Sequence, residues 1–334
     1  MEDKVVKNNN QEVTVDFVLR PKSWGEYVGQ DKAKLNLKII LEAAKKRQEA
    51  CDHLLFYGQA GLGKTTLAHL VAKELNANLK VTSGPALEKA GDLAAVLTNL
   101  EEKDVLFIDE AHRLNRMIEE VLYPAMESQK LHIMVGKGPA ARSVALDLPA
   151  FTLIAATTRA DLLSGPLRSR FGASFKLDYY DLKDIEAIIK RSAELLKMKI
   201  EPGAVKLIAR ASRFTPRVAN RLLKRVRDYA DVNSLSLVNE EAAKKTLEML
   251  EVDDLGLEPQ DRRLLDVIIK KFKGGPVGIS TLAAALSDER GNVEDIYEPY
   301  LMSIGFLART PAGRMVTEAA YKHLGIKPPD GILI

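Results

Sequence analysis

The chain has 334 residues, 46% of them hydrophobic and 28% charged, the composition of an ordinary folded protein of two or three domains rather than a disordered or fibrous one. The formal net charge of +3 is too small to hold nucleic acid by bulk attraction, so any such site must be a local patch. The single cysteine, Cys51, excludes an internal disulfide and suits a reducing, cytoplasmic compartment, while residues 1–12 lack the apolar core of a signal peptide and no apolar run approaches the ~20 residues needed to span a bilayer.

In chain order, residues 1–14 read as a mobile tail. From about Val15 to Tyr180, short apolar runs alternate with helical periods. His53–Tyr57, Val105–Ile108 and Phe151–Ala156 read as buried strands. Thr65–Leu75 reads as a helix with Leu67, Ala68, Val71 and Leu75 on one face. This alternation predicts an α/β domain built on a mainly parallel sheet. The stretch 129–148 breaks the rhythm. Leu131–Val135 and Ser143–Leu146 look like the strands of an inserted hairpin, with Gly136–Ala141 as its turn. From Leu182 to about Asp254 the helical period dominates, with Ile185, Ile188, Ile189, Ala193 and Leu196 as one stripe. After Pro259, helices are expected near Arg262–Phe272, Ser280–Leu286 and Val293–Met302. Strands Gly305–Arg309 and Arg314–Val316 follow, giving a winged helix. The expected domains are therefore 1–180, 181–254 and 255–334.

The stretch GQAGLGKTT matches the phosphate-loop pattern at Gly58, Gly61, Gly63, Lys64 and Thr65. It follows a strand and opens a helix, the context that gives the motif its chemistry. Backbone N–H groups face the phosphates, and glycine lets the backbone approach them. Lys64 suits the outer phosphates of ATP, and the Thr65 hydroxyl suits Mg²⁺. Asp109 and Glu110 emerge from an apolar strand at its C-terminal end, where open α/β sheets bind ligands. Asp109 is placed for the metal through water, and Glu110 to orient and deprotonate the attacking water. A third strand ends in Thr157-Thr158, of which Thr158 is the better candidate for the γ-phosphate. Arg168 and Arg170 precede Phe171-Gly172; one of them could reach a neighbour's nucleotide if the chain forms a ring. Thr215 reads as a helix N-cap and Pro216 as the first helical residue. Arg217 then sits in the first turn, where the helix dipole disfavours a cation by ~0.3–1 kcal/mol unless an anion is near. Arg221, Lys224 and Arg225 read as a solvated helix face.

These motifs in this order resemble an AAA+ ATPase: a P-loop domain with a parallel sheet, then a helical lid. The stretches LRPKSWGEYVGQ, DVLFIDEAHRLN, PLRSRFG, NRLLKRVRDYA, GGPVG and GFLARTPAGR, between about Leu19 and Leu324, further resemble the RuvB family of bacterial Holliday-junction branch-migration motors. The resemblance implies a homo-hexameric ring that pumps double-stranded DNA using ATP and Mg²⁺, with RuvA and RuvC as partners and the hairpin near Gln129–Leu148 as the RuvA dock. It also implies nucleotide contacts from Leu19, Arg20, Gly61, Gly63, Thr66, Tyr180 and Pro216, a lid sensor at Arg217, and a finger at Arg170 acting on the adjacent subunit. Where the family usually has Pro-Pro, this chain has Gln59-Ala60; Phe214 replaces a glycine, Ala111 an isoleucine, and Ala312 a wing arginine. On the wing, Arg309 and Arg314 flank the tip and Arg290 lies in a nearby loop, all three as candidate phosphate contacts. Two other functions fit the same motifs: a loader or switch acting on another protein, and a winged-helix regulator that uses its nucleotide as a sensor.

Overall fold

Buried β-branched and aromatic runs build the first domain. The structure, a computed structural model, describes residues 18–135 and 142–329; the expected tail at 1–14 and hairpin turn at 136–141 lie outside them. Helix α1 (Asp31–Arg47) leads to β1 (Leu54–Tyr57), α2 (Lys64–Glu74), β2 (Leu79–Ser83), α3 (Ala90–Thr98), β3 (Val105–Asp109) and α4 (Arg116–Ser128). After the hairpin strands β4 (Lys130–Val135) and β5 (Arg142–Asp147) come β6 (Thr152–Thr157), the short α5 (Gly165–Arg168) and β7 (Ala173–Lys176). Five strands form one parallel sheet in the order β2-β3-β6-β1-β7. The central strands are buried on both faces: Phe56, Phe107 and Ile154 pack on one side, Leu55, Leu106, Ile108 and Ala155 on the other. The phosphate loop, the Asp-Glu turn and Thr158 all follow the C-terminal ends of neighbouring strands, which brings them together.

Strands β2 and β7 carry no continuous apolar run. Both are sheet edges and largely exposed or half-exposed, so the buried-strand pattern misses them. The hairpin pairs Leu131 with Leu146 and Ile133 with Val144, antiparallel. Its second strand is exposed along its length, including Val144 and Leu146.

Helices α6 (Leu182–Leu195), α7 (Pro202–Arg210), α8 (Pro216–Val232) and α9 (Glu240–Met249) form the second unit around Ile185, Ile189, Ile208, Leu222 and Leu223. Thr215 caps α8, its hydroxyl accepting from the Val218 N–H at 3.4 Å, and Pro216 opens it. Just before this cap, Arg213 and Phe214 both have positive φ, 54° and 55°. Phe214 thus takes the left-handed conformation that glycine adopts freely, at a cost of about 1–2 kcal/mol. Its ring packs against the core of the third domain, and its carbonyl accepts from the Tyr180 N–H at 3.0 Å. Packing explains why a bulky residue is held there.

The third unit contains α10 (Pro259–Phe272), α11 (Ile279–Leu286), α12 (Arg290–Asn292), a π-turn (Val293–Tyr297), α13 (Glu298–Ser303), β8 (Leu307–Thr310), β9 (Gly313–Val316) and α14 (Glu318–His323). Its core is Leu264, Leu265, Ile268, Leu282, Leu301, Val316 and Tyr321. The helix expected to begin at Val293 opens instead as the π-turn, one extra residue per turn. No helix among the described residues is long and apolar enough to cross a membrane.

Candidate nucleotide site and head surface

The loop between β1 and α2 turns through three glycines with positive φ: Gly58 at 140°, Gly61 at 82° and Gly63 at 99°. At all three space is short as well: a Cβ on Gly58 would lie 2.4 Å from the Leu177 carbonyl oxygen. A Cβ on Gly63 would lie 2.7 Å from the Tyr27 hydroxyl, and one on Gly61 would lie 2.9 Å from the Arg217 Cβ. Tyr27 and Tyr180 secure the loop from below. Both hydroxyls lie within hydrogen-bonding distance of the Leu62 carbonyl, at 3.4 and 3.2 Å, and 3.3 Å from each other, so their two O–H donors serve that carbonyl and the neighbouring phenol. Burial raises the Tyr27 phenol well above its ordinary range and that of Tyr180 to about 12, so both stay neutral.

Lys64 opens α2 and is 8% exposed. Its ammonium donates to the Gly58 and Gln59 carbonyls at 2.7 and 2.8 Å, which satisfies it within the loop. Burial lowers its pKa to about 8, with Asp109 opposing the shift and Arg217 adding to it. The Thr65 hydroxyl donates to Asp109 Oδ2 at 3.3 Å, and Asp109 Oδ1 accepts from the Glu110 N–H at 2.9 Å. Adjacent hydroxyl and carboxylate oxygens are the donor set of a hard cation such as Mg²⁺. Among the described residues, no group of three or more His, Cys, Asp or Glu could hold a metal, so an ion here would also need phosphate oxygens. Glu110 has φ of 50° and pairs with Arg113 at 3.2 Å.

A cavity of about 580 Å³ brings these groups together. Leu19, Arg20, Gly61, Gly63, Lys64, Thr65, Thr66, Asp109, Glu110, Thr158, Tyr180, Pro216 and Arg217 all line it. Of the two threonines, Thr157 is buried and committed elsewhere: its hydroxyl is hydrogen-bonded to His112 Nδ1 at 3.1 Å and accepts from the Arg159 N–H at 2.9 Å. Glu26, Tyr27, Ile188, Arg191 and Asn220 line the same cavity without a sequence signal. Arg191 donates to the Leu19 carbonyl at 3.0 Å and pairs with Glu26, tying α6 to the segment beside the cavity. Arg221 and Lys224 also line it and are not simply a solvated helix face.

Arg170 lies elsewhere. Its guanidinium pairs with Glu127 at 2.8 Å, donates to the Pro166 carbonyl at 2.7 Å and sits 4.4 Å above the Tyr123 ring. Its Nε is buried with no hydrogen-bond partner among the described residues. The fold does not bring Arg170 to this chain's own nucleotide cavity. Arg168 is exposed.

In the third domain, Arg309 is exposed at the end of β8, and Arg290 is exposed and paired with Glu294 at 3.3 Å. Both line a cleft of about 480 Å³ against the first domain. Arg314 corrects the expectation. It is 6% exposed and forms a buried pair with Glu298, Nε to Oε1 at 2.5 Å, and a second contact with Glu294 at 3.3 Å. It pairs in register with Arg309, so the two share one face of the ribbon, but Arg314 is drawn to Glu298 and committed to a structural pair rather than offered to a phosphate. Removing one partner of a buried ion pair leaves an uncompensated charge. Arg314→Ala is therefore expected to destabilise the protein by about 3 kcal/mol in denaturant unfolding.

A parallel sheet carrying a phosphate loop, an Asp-Glu turn and a polar strand end, with Pro216 and Arg217 closing over them from a helical lid, defines an AAA+ P-loop ATPase. The chain matches the model of the Holliday junction DNA helicase RuvB P-loop domain over residues 19–177, the RuvB AAA lid domain over 180–253 and the RuvB C-terminal winged helix domain over 254–325. It belongs to the RuvB family. It is similar to the Thermotoga maritima RuvB Holliday junction branch migration motor, with 51% identity, a TM-score of 0.87, and coverage of 93% of this chain and 100% of that one. The K64R and R170A variants of Thermotoga maritima RuvB match with the same identity and TM-score, over 93% of this chain and 99% of theirs.

Proposed function

We propose that this chain works as a ring-forming motor that drives Holliday-junction branch migration. A homo-hexamer would turn ATP hydrolysis into movement along double-stranded DNA, RuvA would dock on the exposed strand of the hairpin, and RuvC would act on the same junction. Such a substrate puts the protein in the cytoplasm. The observation that carries the reading is one cavity that joins Lys64, Thr65, Asp109, Glu110 and Thr158 to the lid residues Pro216 and Arg217. The domains divide as 1–180, 181–254 and 255–334.

Lys64 leaves the loop carbonyls for the outer phosphates, and Arg217 meets the γ-phosphate from the lid. Thr65 and Asp109 would hold Mg²⁺, which neutralises phosphate charge when bound. Glu110 takes the proton of the attacking water, and Thr158 orients that water or the γ-phosphate. Arg170 reaches the phosphates of the adjacent subunit, where it offsets charge developing in the transition state. Arg309 and Arg290 hold DNA phosphates without reading bases, as suits a motor that must move along any sequence.

The decisive experiment supplies ATP, RuvA and a synthetic four-way junction to the assembled protein. Release of strand pairs is expected; ATP turnover with no movement of the branch point would overturn the proposal and favour a loader or switch. Each phosphate contact contributes about one unit to the salt slope of DNA binding. The double substitution of Arg290 and Arg309 by alanine is accordingly expected to lower the slope of log affinity against log salt by about two. An unchanged slope would remove both residues from the contact surface.

A further inference from the structure

The strand end that reaches the nucleotide is also tied to the third domain. Arg159 follows Thr158 directly, and its N–H donates to the Thr157 hydroxyl at 2.9 Å. That hydroxyl is bonded to His112, two residues beyond Glu110. The backbone of Arg159 is thus fixed to the two segments that carry Thr158 and Glu110. Its side chain points the other way. The guanidinium spans the cleft to Asp295 at 3.2 Å, with Asp161 of its own domain at 3.6 Å. Asp295 lies on the π-turn of the third domain. Its neighbour Glu294 is engaged by Arg290 and Arg314, and Glu298 by Arg314. Of these three acids, Asp295 is the one facing Arg159. Gln59 of the phosphate loop lines the same cleft as Arg290 and Arg309.

We propose that the Arg159–Asp295 ion pair is a latch joining the nucleotide-sensing end of β6 to the DNA-holding domain, with Asp295 as the positioning residue. The inference rests on the motor reading above. Both side chains are partly exposed, at 33% and 41%, so the pair contributes little to stability. That weakness suits a contact made and broken in each cycle. A shift of β6 on loss of the γ-phosphate moves Arg159, and the π-turn carrying Asp295, Glu294 and the partner of Arg290 follows. By linkage, DNA held at Arg290 and Arg309 feeds back on the strand end.

The test is Asp295→Asn, with Asp295→Glu as the conservative control, in the full-length assembled protein. ATP turnover is measured with and without duplex DNA, and DNA affinity separately. The asparagine variant is expected to lose about threefold to fivefold of the DNA stimulation, with DNA-free turnover and DNA affinity within about twofold of wild type. The glutamate variant is expected to keep most of the stimulation. Full stimulation in Asp295→Asn, or equal loss in Asp295→Glu, overturns the latch while leaving the motor reading intact. A wild-type protein whose turnover ignores duplex DNA overturns the motor reading, and the latch with it.

Discussion

Arg170→Ala is expected to lower ATP turnover by about 10³-fold or more, the scale of a missing arginine finger, while ATP affinity stays close to wild type. The reason is positional. Within one subunit, Arg170 packs on Tyr123 and Glu127, away from the cavity formed by Lys64, Asp109 and Arg217. Its removal leaves every group that this subunit offers to its own nucleotide. The Nε has no hydrogen-bond partner among the described residues, so the pocket does not satisfy the full fork of donors; a phosphate in a neighbour would have to outweigh the Glu127, Pro166 and Tyr123 contacts given up. Mixing Arg170→Ala with Glu110→Gln protein gives the sharper measurement. Each is expected to be inactive alone, but in the proposed ring a mixture contains interfaces where an intact Glu110 faces an intact Arg170. Turnover recovered on mixing supports action across the interface. No recovery, in mixtures shown to co-assemble, would confine Arg170 to its own subunit.

The glycine loop, the Asp-Glu turn, Thr158 and Arg217 were legible in the sequence because each follows a strong local signal: a buried apolar strand, or a Thr-Pro helix start. Those signals fix both the element and the end from which the side chain emerges. Edge strands β2 and β7 lacked them, since a half-exposed edge needs no apolar run. Tyr27, Glu26 and Arg191 reach the cavity through long-range packing. The Leu62 carbonyl receives two phenols from residues 35 and 118 positions away, and no local pattern encodes that. Arg314 shows the opposite failure. Its place beside a turn suggested exposure, but Gly313 brings the backbone tight against Val277 and the side chain turns inward toward Glu298. Arg309, opposite it on the other strand, stays outside. Composition alone gives both arginines the same reading; the partner acid on a distant helix separates them.

Lys64 carries the other large expectation, and it has two opposite parts. Lys64→Ala is expected to remove hydrolysis, with a loss of at least about 10³-fold, because no other cation in the loop can bridge the outer phosphates; unchanged turnover would refute the pocket. The same lysine is a burden in the nucleotide-free protein. Burial lowers its pKa from 10.5 to about 8, so at neutral pH its charged form costs roughly 3 kcal/mol of folding stability. That cost is present in full below pH 8 and declines as pH rises from about 8 toward 10.5, where the unfolded chain still binds the proton that the folded one has released. Lys64→Met keeps the buried stem and removes the charge. It is expected to raise the thermal midpoint of the nucleotide-free protein at pH 7, with the gain shrinking above pH 8, while abolishing turnover. In the wild-type protein an incoming polyphosphate restores the lysine's preference for its proton. ATP affinity should therefore fall with rising pH above about 8, approaching tenfold per unit, until the pKa of the bound state is reached. Calorimetric titration between pH 7 and 10 measures that slope together with the proton uptake it requires. A flat affinity with no proton uptake would place the Lys64 ammonium away from the phosphates and remove the charge on which the proposed chemistry depends.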